Sequence, residues 1–341
     1  MNRPKYYIGI DIGSENFMAA VGEEPWKVVA KGEEFRNTMD GYEKMQTWMA
    51  KMGIGVENAV LCMEATGVYG EGLAFYLQAK GYRIAVEAPL KVKRAFMPVG
   101  HKNDRVDSQQ IAEYAYRFYD ELVYWKPRAE ILEQIKVFLA IREQYVVQKT
   151  GHLNALRTLR RKIVQTPLAE ALHERSIDQI KKNIKEIDAE IRRLIDEDPK
   201  YGDLIRLLMS VPGVGFLLAS NMLLIMESAP DDVTSKQMAA YIGISPYEHR
   251  SGNSVYKPDS SRHYGPTKVR KLLYLASLSV RTHQPVFQKY FLRKVAEGKP
   301  KKVILNNIAN KLVKIMCAVV KTQTPYISNY RSVHPALLLT A

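Results

Sequence analysis

The chain has 341 residues, 46% of them hydrophobic and 25% charged, and its 50 Lys+Arg against 36 Asp+Glu leave a formal net charge of +14. This composition excludes disorder, collagen and a small disulfide scaffold, and the length suffices for two or three domains with cores of their own. Two cysteines, Cys62 and Cys317, are too few for a disulfide framework or a zinc cluster, and their apolar surroundings predict buried neutral thiols in a reducing cytoplasm.

Residues 1–14 carry too short an apolar run for a signal peptide. Tyr6–Ile12 reads as an apolar strand, with residues 18–21 and 26–30 as hairpin neighbours. Helical spacing follows at 41–52, a buried strand at 59–63, a helix at 72–80, a strand at Arg83–Glu87 and a helix at 104–119. Strands alternating with helices predict an α/β domain over residues 1–125. From 126 to 198 the pattern changes to long helices. One seam runs through Leu132, Ile135, Leu139, Arg142, Val146, Lys149, Leu153, Leu156, Arg160 and Ile163, a second through Ile177, Ile180, Ile184, Ile187, Ile191 and Leu194. Both follow heptad spacing, which fits a helical hairpin packed on itself and a dimerising coiled coil equally well. A mainly helical domain is expected over 199–325, with a tail at 326–341. Residues 207–226 carry no charge and approach a membrane span in length, but Val211-Pro212-Gly213-Val214-Gly215 would break it, so two helices around a turn are expected. A short helix at 236–242, a Gly/Ser-rich segment at 251–254, and basic helices at 268–281 and 303–320 complete the reading.

Four acids stand out. Asp11 ends the first strand and Glu64 the second, each followed by a glycine-bearing turn, while Asp104 and Asp107 lie three apart at the start of a helix and share one face. Such carboxylates can converge above the sheet, where oxygen-only ligands suit Mg²⁺ or Mn²⁺, and a pair of such ions about 4 Å apart serves phosphoryl transfer. Each acid also has a plainer reading. Asp11 can cap a turn, Glu64 can be a surface residue, Asp104 can cap the helix, and Asp107 can simply favour the positive helix end.

Charge is unevenly distributed. Residues 1–120 have a net of −1 and 121–249 a net of zero, whereas 250–321 hold 16 basic residues against Asp259 and Glu297 alone. Nucleic acid is the usual partner of such a segment, and no amphipathic stretch there argues for a membrane. Arg250, Arg262, His263, Lys268, Arg270 and Lys271, interleaved with Tyr264 and Tyr274, are the expected backbone and stacking contacts, with Lys301 and Lys302 as nonspecific phosphate contacts. Gly213 and Gly215 either free backbone amides for a phosphate or make a sharp structural turn.

The order Asp, Glu, Asp, Asp, carried as GIDIGS, MEATGVYG and KNDRVDSQQIAEYA, resembles the DEDD transposases of the "one-ten" group of bacterial insertion sequences, and the resemblance extends through SVPGVG to QMAAYIGISPYEHRSGNSV and the closing basic helices. It implies a RuvC-like, ribonuclease H type N-terminal domain, a coiled coil, and a helical domain whose nucleophilic serine matches Ser251. Residue types alone do not separate Ser251 from Ser254, Ser260 and Ser261, each of which also reads as a solvated loop serine. The resemblance further implies metal-dependent strand exchange through a phosphoserine linkage, with donor and target DNA and a structured guide ("bridge") RNA as partners. It also implies a homo-oligomer, dimer or tetramer, in the nucleoid-associated bacterial cytoplasm, with serine and acids drawn from one protomer or from two. One departure is that many relatives carry a lysine shortly after the first aspartate, where this chain reads Asp-Ile-Gly-Ser-Glu. IGIDIGS is also similar to the first phosphate loop of actin-like kinases, but no second phosphate loop or adenosine motif follows residue 70. A metal-dependent nuclease or junction resolvase without the serine, a site-specific invertase of the same family, and a DNA-binding protein without chemistry are the other readings.

Overall fold

A computed structural model describes residues 3–65, 67–96, 103–230, 232–251, 255–261 and 265–328, with only the backbone for 248–251 and 255–260. The chain divides into two compact units, Met1–Pro127 and Arg128–Ala341.

The first unit is a five-stranded mixed sheet in the order β3-β2-β1-β4-β5. Its strands are β1 (Tyr6–Ile12), β2 (Asn16–Glu23), β3 (Lys27–Arg36), β4 (Ala59–Glu64) and β5 (Arg83–Glu87). The β1–β2 and β2–β3 pairs are antiparallel, and the β1–β4 and β4–β5 pairs parallel. Both hairpin strands run longer than their apolar centres predict, because the charged ends of β3 lie on the sheet's exposed edge. Side-chain alternation gives the sheet two buried faces. Ile8, Ile10, Leu61, Met63 and Ile84 pack on one face with Met45 and Met49 of α1 (Met39–Lys51) and Leu73 and Leu77 of α2 (Glu71–Ala79). On the other, Tyr7, Val60, Cys62 and Ala85 meet Val92 of the short α3 (Pro89–Arg94) and Ile111, Tyr114 and Ala115 of α4 (Asp104–Arg117). Burial pushes the Cys62 thiol well above its ordinary range, as expected of an inert core cysteine.

Helix α4 lies directly on β1, and Gly9 is the reason. A Cβ there would stand 2.1 Å from both the Ala112 amide nitrogen and the Ser108 carbonyl oxygen. Ser108 is itself fully buried, with its hydroxyl donating to the Arg105 carbonyl.

In the second unit α5 (Glu130–Leu159) and α6 (Pro167–Glu197) form an antiparallel hairpin. The α6 seam is buried throughout, whereas on α5 Leu132, Ile135, Leu139 and Leu156 are buried, Leu153 is exposed and Ile163 lies beyond the helix. Arg142 occupies its seam position by pairing with Asp188 of α6 through hydrogen bonds of 2.6 and 3.2 Å. The α6 seam and the buried part of the α5 seam are thus paired within one chain. The base of the hairpin also shares a core with the helices after it, so the segment expected as a separate linker belongs to a single larger unit. Those helices are α7 (Pro199–Ser210), α8 (Phe216–Met226), α9 (Ser235–Ile242), α10 (Thr267–His283), α11 (Pro285–Ala296) and α12 (Lys301–Thr322). The Gly/Ser-rich segment forms an antiparallel hairpin of β6 (Pro246–Ser251) and β7 (Val255–Ser261). Helix α12, rather than residues 207–226, has the length and mean hydropathy, 1.5, of a membrane span. Its Ile304, Ile308, Leu312, Val313 and Met316 are fully buried in this core.

Two glycine substitutions have opposite expected outcomes. Gly9→Ala forces α4 off β1 and should cost about 2–3 kcal/mol. The transition is readable by tryptophan fluorescence because Trp26, Trp48 and Trp125 all lie in the first unit. Gly151→Ala, in mid-α5 with nothing within 4 Å of the added carbon, should stabilise by about 0.5–1 kcal/mol on far-ultraviolet unfolding curves. An unchanged fluorescence midpoint for Gly9→Ala would refute the close packing.

Candidate functional site

Asp11 follows Gly9 by two residues on β1 and faces the same side of the sheet. Helix α4 begins one turn away. Asn103 caps it, its side chain accepting from the Arg105 amide at 3.0 Å, so the cap expected of Asp104 is supplied by its neighbour. Asp104 and Asp107 occupy the first turn, where the positive helix end favours carboxylates. Ligand oxygens of Asp11, Asp104 and Asp107 all lie within 4.8 Å of one another, with Asp11 and Asp107 half-buried and Asp104 exposed. Oxygens around an octahedral Mg²⁺ at about 2.1 Å sit about 3–4 Å apart, so small side-chain rotations adapt this all-oxygen set to a hard divalent cation.

Glu64 stands outside this group of three. Met63 pairs with Ile10 across the parallel β1–β4 ladder, so Glu64 is level with Asp11 one strand away, and its own partner on β5 is Glu87. Glu87 is buried and bonded to Lys91 at 3.1 Å. The two strand-end carboxylates therefore have different surroundings.

Two further residues shape the cleft. Glu34 of β3 lines it with Asp11 and Asp104. Its Cα partner is Met18, which in turn pairs with Asp11, placing Glu34 on the Asp11 face two strands away. Asn37 donates to the Gly13 carbonyl at 3.0 Å and the Tyr69 carbonyl at 2.9 Å, and accepts from the Tyr42 hydroxyl at 2.6 Å. It thereby ties the turn after Asp11 to the turn after Glu64. Glu34 escapes a sequence reading that ends the third strand at Ala30, and Asn37 reads only as a polar residue ahead of a helix. The later of two signals was available: Asn37-Thr38 precedes an amphipathic run as a capping pair does.

In the second unit Ser251 is the last residue of β6, with Val255 as its Cα partner across the hairpin, and Arg250 pairs with Tyr256. Arg262 and His263 lie outside the described residues, as does Gly252. Lys268 turns inward, its ammonium donating to the Leu139 carbonyl of α5 at 2.6 Å. Burial, with Arg142 nearby, lowers its pKa. This replaces the phosphate contact expected of it. Arg270 donates to the carbonyls of Ile242 and Gly265, both at 3.2 Å, and to the Thr267 hydroxyl at 3.1 Å. It thereby fixes a turn in which Gly265 has a φ of 94° and no room for a Cβ beside the Tyr241 carbonyl. Lys271 lines an open cleft with Ser261, Tyr274 and Asn306, and Lys301 and Lys302 are exposed at the start of α12. Gly213 has a φ of 78°, and a Cβ there would meet Val280 of α10 at 2.6 Å, a packing reason for its presence, while Gly215 opens α8 with nothing within 4 Å.

A DEDD transposase model of the IS110 type matches residues 8–164, and a model described as the transposase IS116/IS110/IS902 family matches 205–292. The pilin gene-inverting protein of Moraxella bovis is 26% identical over 326 residues, covering 94% of this chain and 98% of that protein. The transposase for insertion sequence element IS1111A of Coxiella burnetii is 24% identical, covering 66% of this chain and 68% of that protein.

The carboxylate geometry predicts that Mn²⁺ binds the full chain and raises the unfolding midpoint of the first unit. Asp11→Asn and Asp107→Asn should each weaken binding at least about tenfold in calorimetric titration, because each removes a charged ligand. Full affinity in both would eliminate the three-acid centre.

Proposed function

The chain belongs to the IS116/IS110/IS902 family of transposases, and from that premise we propose that it mobilises an insertion sequence as a metal-dependent, RNA-guided serine recombinase. The observation that carries this reading is the meeting of Asp11, Asp104 and Asp107 at one strand end and helix start, inside the span matched by the DEDD model. The sheet order β3-β2-β1-β4-β5, with only β2 antiparallel to its neighbours and the acids at the carboxyl ends of β1 and β4, supports a RuvC-like, ribonuclease H type domain. Glu64 completes the acid set in this reading.

Asp11, Asp104 and Asp107 would hold Mg²⁺ or Mn²⁺, with Glu64 as a further ligand. A bound divalent ion there lowers the pKa of a nucleophilic hydroxyl and neutralises charge on the phosphate. The remaining chemistry falls to the chain's own residues. Ser251 Oγ attacks a DNA phosphodiester, forming an O–P bond as the bond to a deoxyribose oxygen breaks, and the serine proton ends on the departing hydroxyl. A hydroxyl from the exchanged strand then attacks the same phosphorus and returns the proton to Ser251. Each step replaces one phosphodiester bond by another, so no nucleotide triphosphate is required.

Duplex DNA and a structured guide RNA are the proposed partners, held by Arg250, Lys271, Lys301 and Lys302 with Arg262 and His263, and by the Gly213–Gly215 turn at the start of α8. A bacterial, nucleoid-associated location follows from these partners. Exposed Val137, Val147, Leu153 and Leu172 on the α5–α6 hairpin supply apolar surface for a homo-oligomer. A second reading, site-specific inversion, is favoured by the near full-length likeness to a pilin gene-inverting protein. It uses the same strand exchange on two sites within one DNA molecule.

The test is recombination between donor and target plasmids by the full chain with the noncoding RNA flanking its gene, beside an inversion substrate. Asp11→Ala and Ser251→Ala should each abolish product, and a protein–DNA adduct trapped with wild type should disappear in Ser251→Ala. Persistent DNA cleavage by Ser251→Ala would replace the serine mechanism with hydrolysis by the acids.

A further inference from the structure

Helix α12 has two unlike sides. Ile304, Ile308, Leu312, Val313 and Met316 are buried, whereas Lys311, Lys314 and Lys321 are exposed along the opposite side at the 3,4 spacing of one helix face. Lys311 leans onto the neighbouring α11, its ammonium 4.3 Å from the Tyr290 ring centroid, and the Arg293 guanidinium approaches the same ring at 5.7 Å. An aromatic ring thus gathers two cations that would otherwise separate.

The cations there are poorly compensated. Glu297 is bonded to Lys294 at 2.6 Å and lies 3.8 Å from Arg293. Among the described residues no ion pair includes Lys311 or Lys314. Partial burial of Lys311 lowers its pKa, and Arg293, Lys314 and Lys294 depress it further, so the group is strained by its neighbours' charge. A phosphate placed over the patch would relieve that repulsion. By contrast, the inward bond of Lys268 and the three protein acceptors of Arg270 commit those side chains to the fold.

We propose that Lys311 and Arg293, gathered at the Tyr290 ring, together with Lys314 on the same exposed face of α12, form a binding surface for the phosphodiester backbone of nucleic acid. This rests on the nucleic-acid reading above and adds a surface separate from the serine hairpin. With cations against the ring, Tyr290 positions charge here, and recognition is of backbone rather than base sequence.

The experiment compares wild type, Lys311→Gln/Lys314→Gln and Lys311→Arg/Lys314→Arg as full chains, by fluorescence anisotropy across a salt series. Probes are a duplex DNA of about 30 base pairs and a hairpin RNA of similar charge, a length ample for counting released ions. The Gln pair should bind at least about tenfold more weakly at moderate salt, with a log–log salt slope shallower by about 2, and the Arg pair should bind like wild type. The probe that loses affinity identifies whether the surface serves DNA or RNA. Unchanged affinity and slope on both probes, with unaltered unfolding midpoints, would overturn the surface alone. Failure of wild type to bind either probe would overturn the nucleic-acid reading with it.

Discussion

The contact on which the rest of the first unit depends is backbone against backbone, where α4 lies on β1 at Gly9. A glycine inside a strand weakens it, since it adds backbone entropy and packs nothing. It is tolerated here because any side chain would enter the turn of α4 between Ser108 and Ala112. The fully buried Ser108 and the buried Ala112 and Ala115 continue the same fit on the helix side. Only with the helix this close does its first turn bring Asp104 and Asp107 beside Asp11, two residues beyond the glycine. The meeting of the three acids is therefore a consequence of small residues that carry no charge. Asn37 completes the frame, because its two donor bonds hold the strand-tip turns on either side of the cleft.

Electrostatics then decides what each charged group can do. Three carboxylates within 4.8 Å repel one another, and the amide end of α4 offsets part of that cost, by about 0.3–1 kcal/mol per group near a surface. Asn103 matters for the same reason. By capping the helix it leaves the Asp104 carboxylate available to the cluster. In the second unit the opposite problem arises. Lys268 is half-buried, no acid among the described residues is bonded to it, and it depends on the Leu139 carbonyl, so burial pulls its pKa down. A basic residue in a basic segment is therefore not automatically a ligand for an anion. Direction of the side chain, more than composition, separates structural cations from those facing solvent.

Much of this was legible in the sequence, and the exceptions have physical reasons. Tyr6–Ile12 and Arg83–Glu87 coincide with their apolar runs because both strands are buried on two faces, which leaves no ambiguity of register. The sequence pattern ends β3 at Ala30 because the far end of the strand is charged and exposed, and Glu34, which lines the cleft, lies in that far end. The hairpin of β6 and β7 was hidden by serine, glycine and proline, residues that favour turns and override the weaker signal of Val255 and Tyr256. The four acids stand out by their order along alternating strands and helices. That order placed Asp11, Asp104 and Asp107 together. It could not distinguish Glu64, whose separation follows from its place on a neighbouring strand beside the buried Glu87.

The uneven charge acquires a structural meaning through α12. A helix apolar enough to span a membrane would ordinarily be wrapped by neighbours on every side, yet this one leaves a lysine face uncovered. Its buried side meets the demands of the core, while Lys311 packs against Tyr290. Partial burial first, and then the charges of Arg293, Lys314 and Lys294, lower the pKa of Lys311. At physiological salt the screening length is about 8 Å, too long to decouple cations drawn to a single tyrosine ring. Fold stability would favour replacing one of them by a neutral or acidic residue. A free-energy cost of this kind in the unbound chain is recovered only when an anion arrives. The surface therefore differs from an ordinary solvated helix face, whose charges alternate in sign and need no partner.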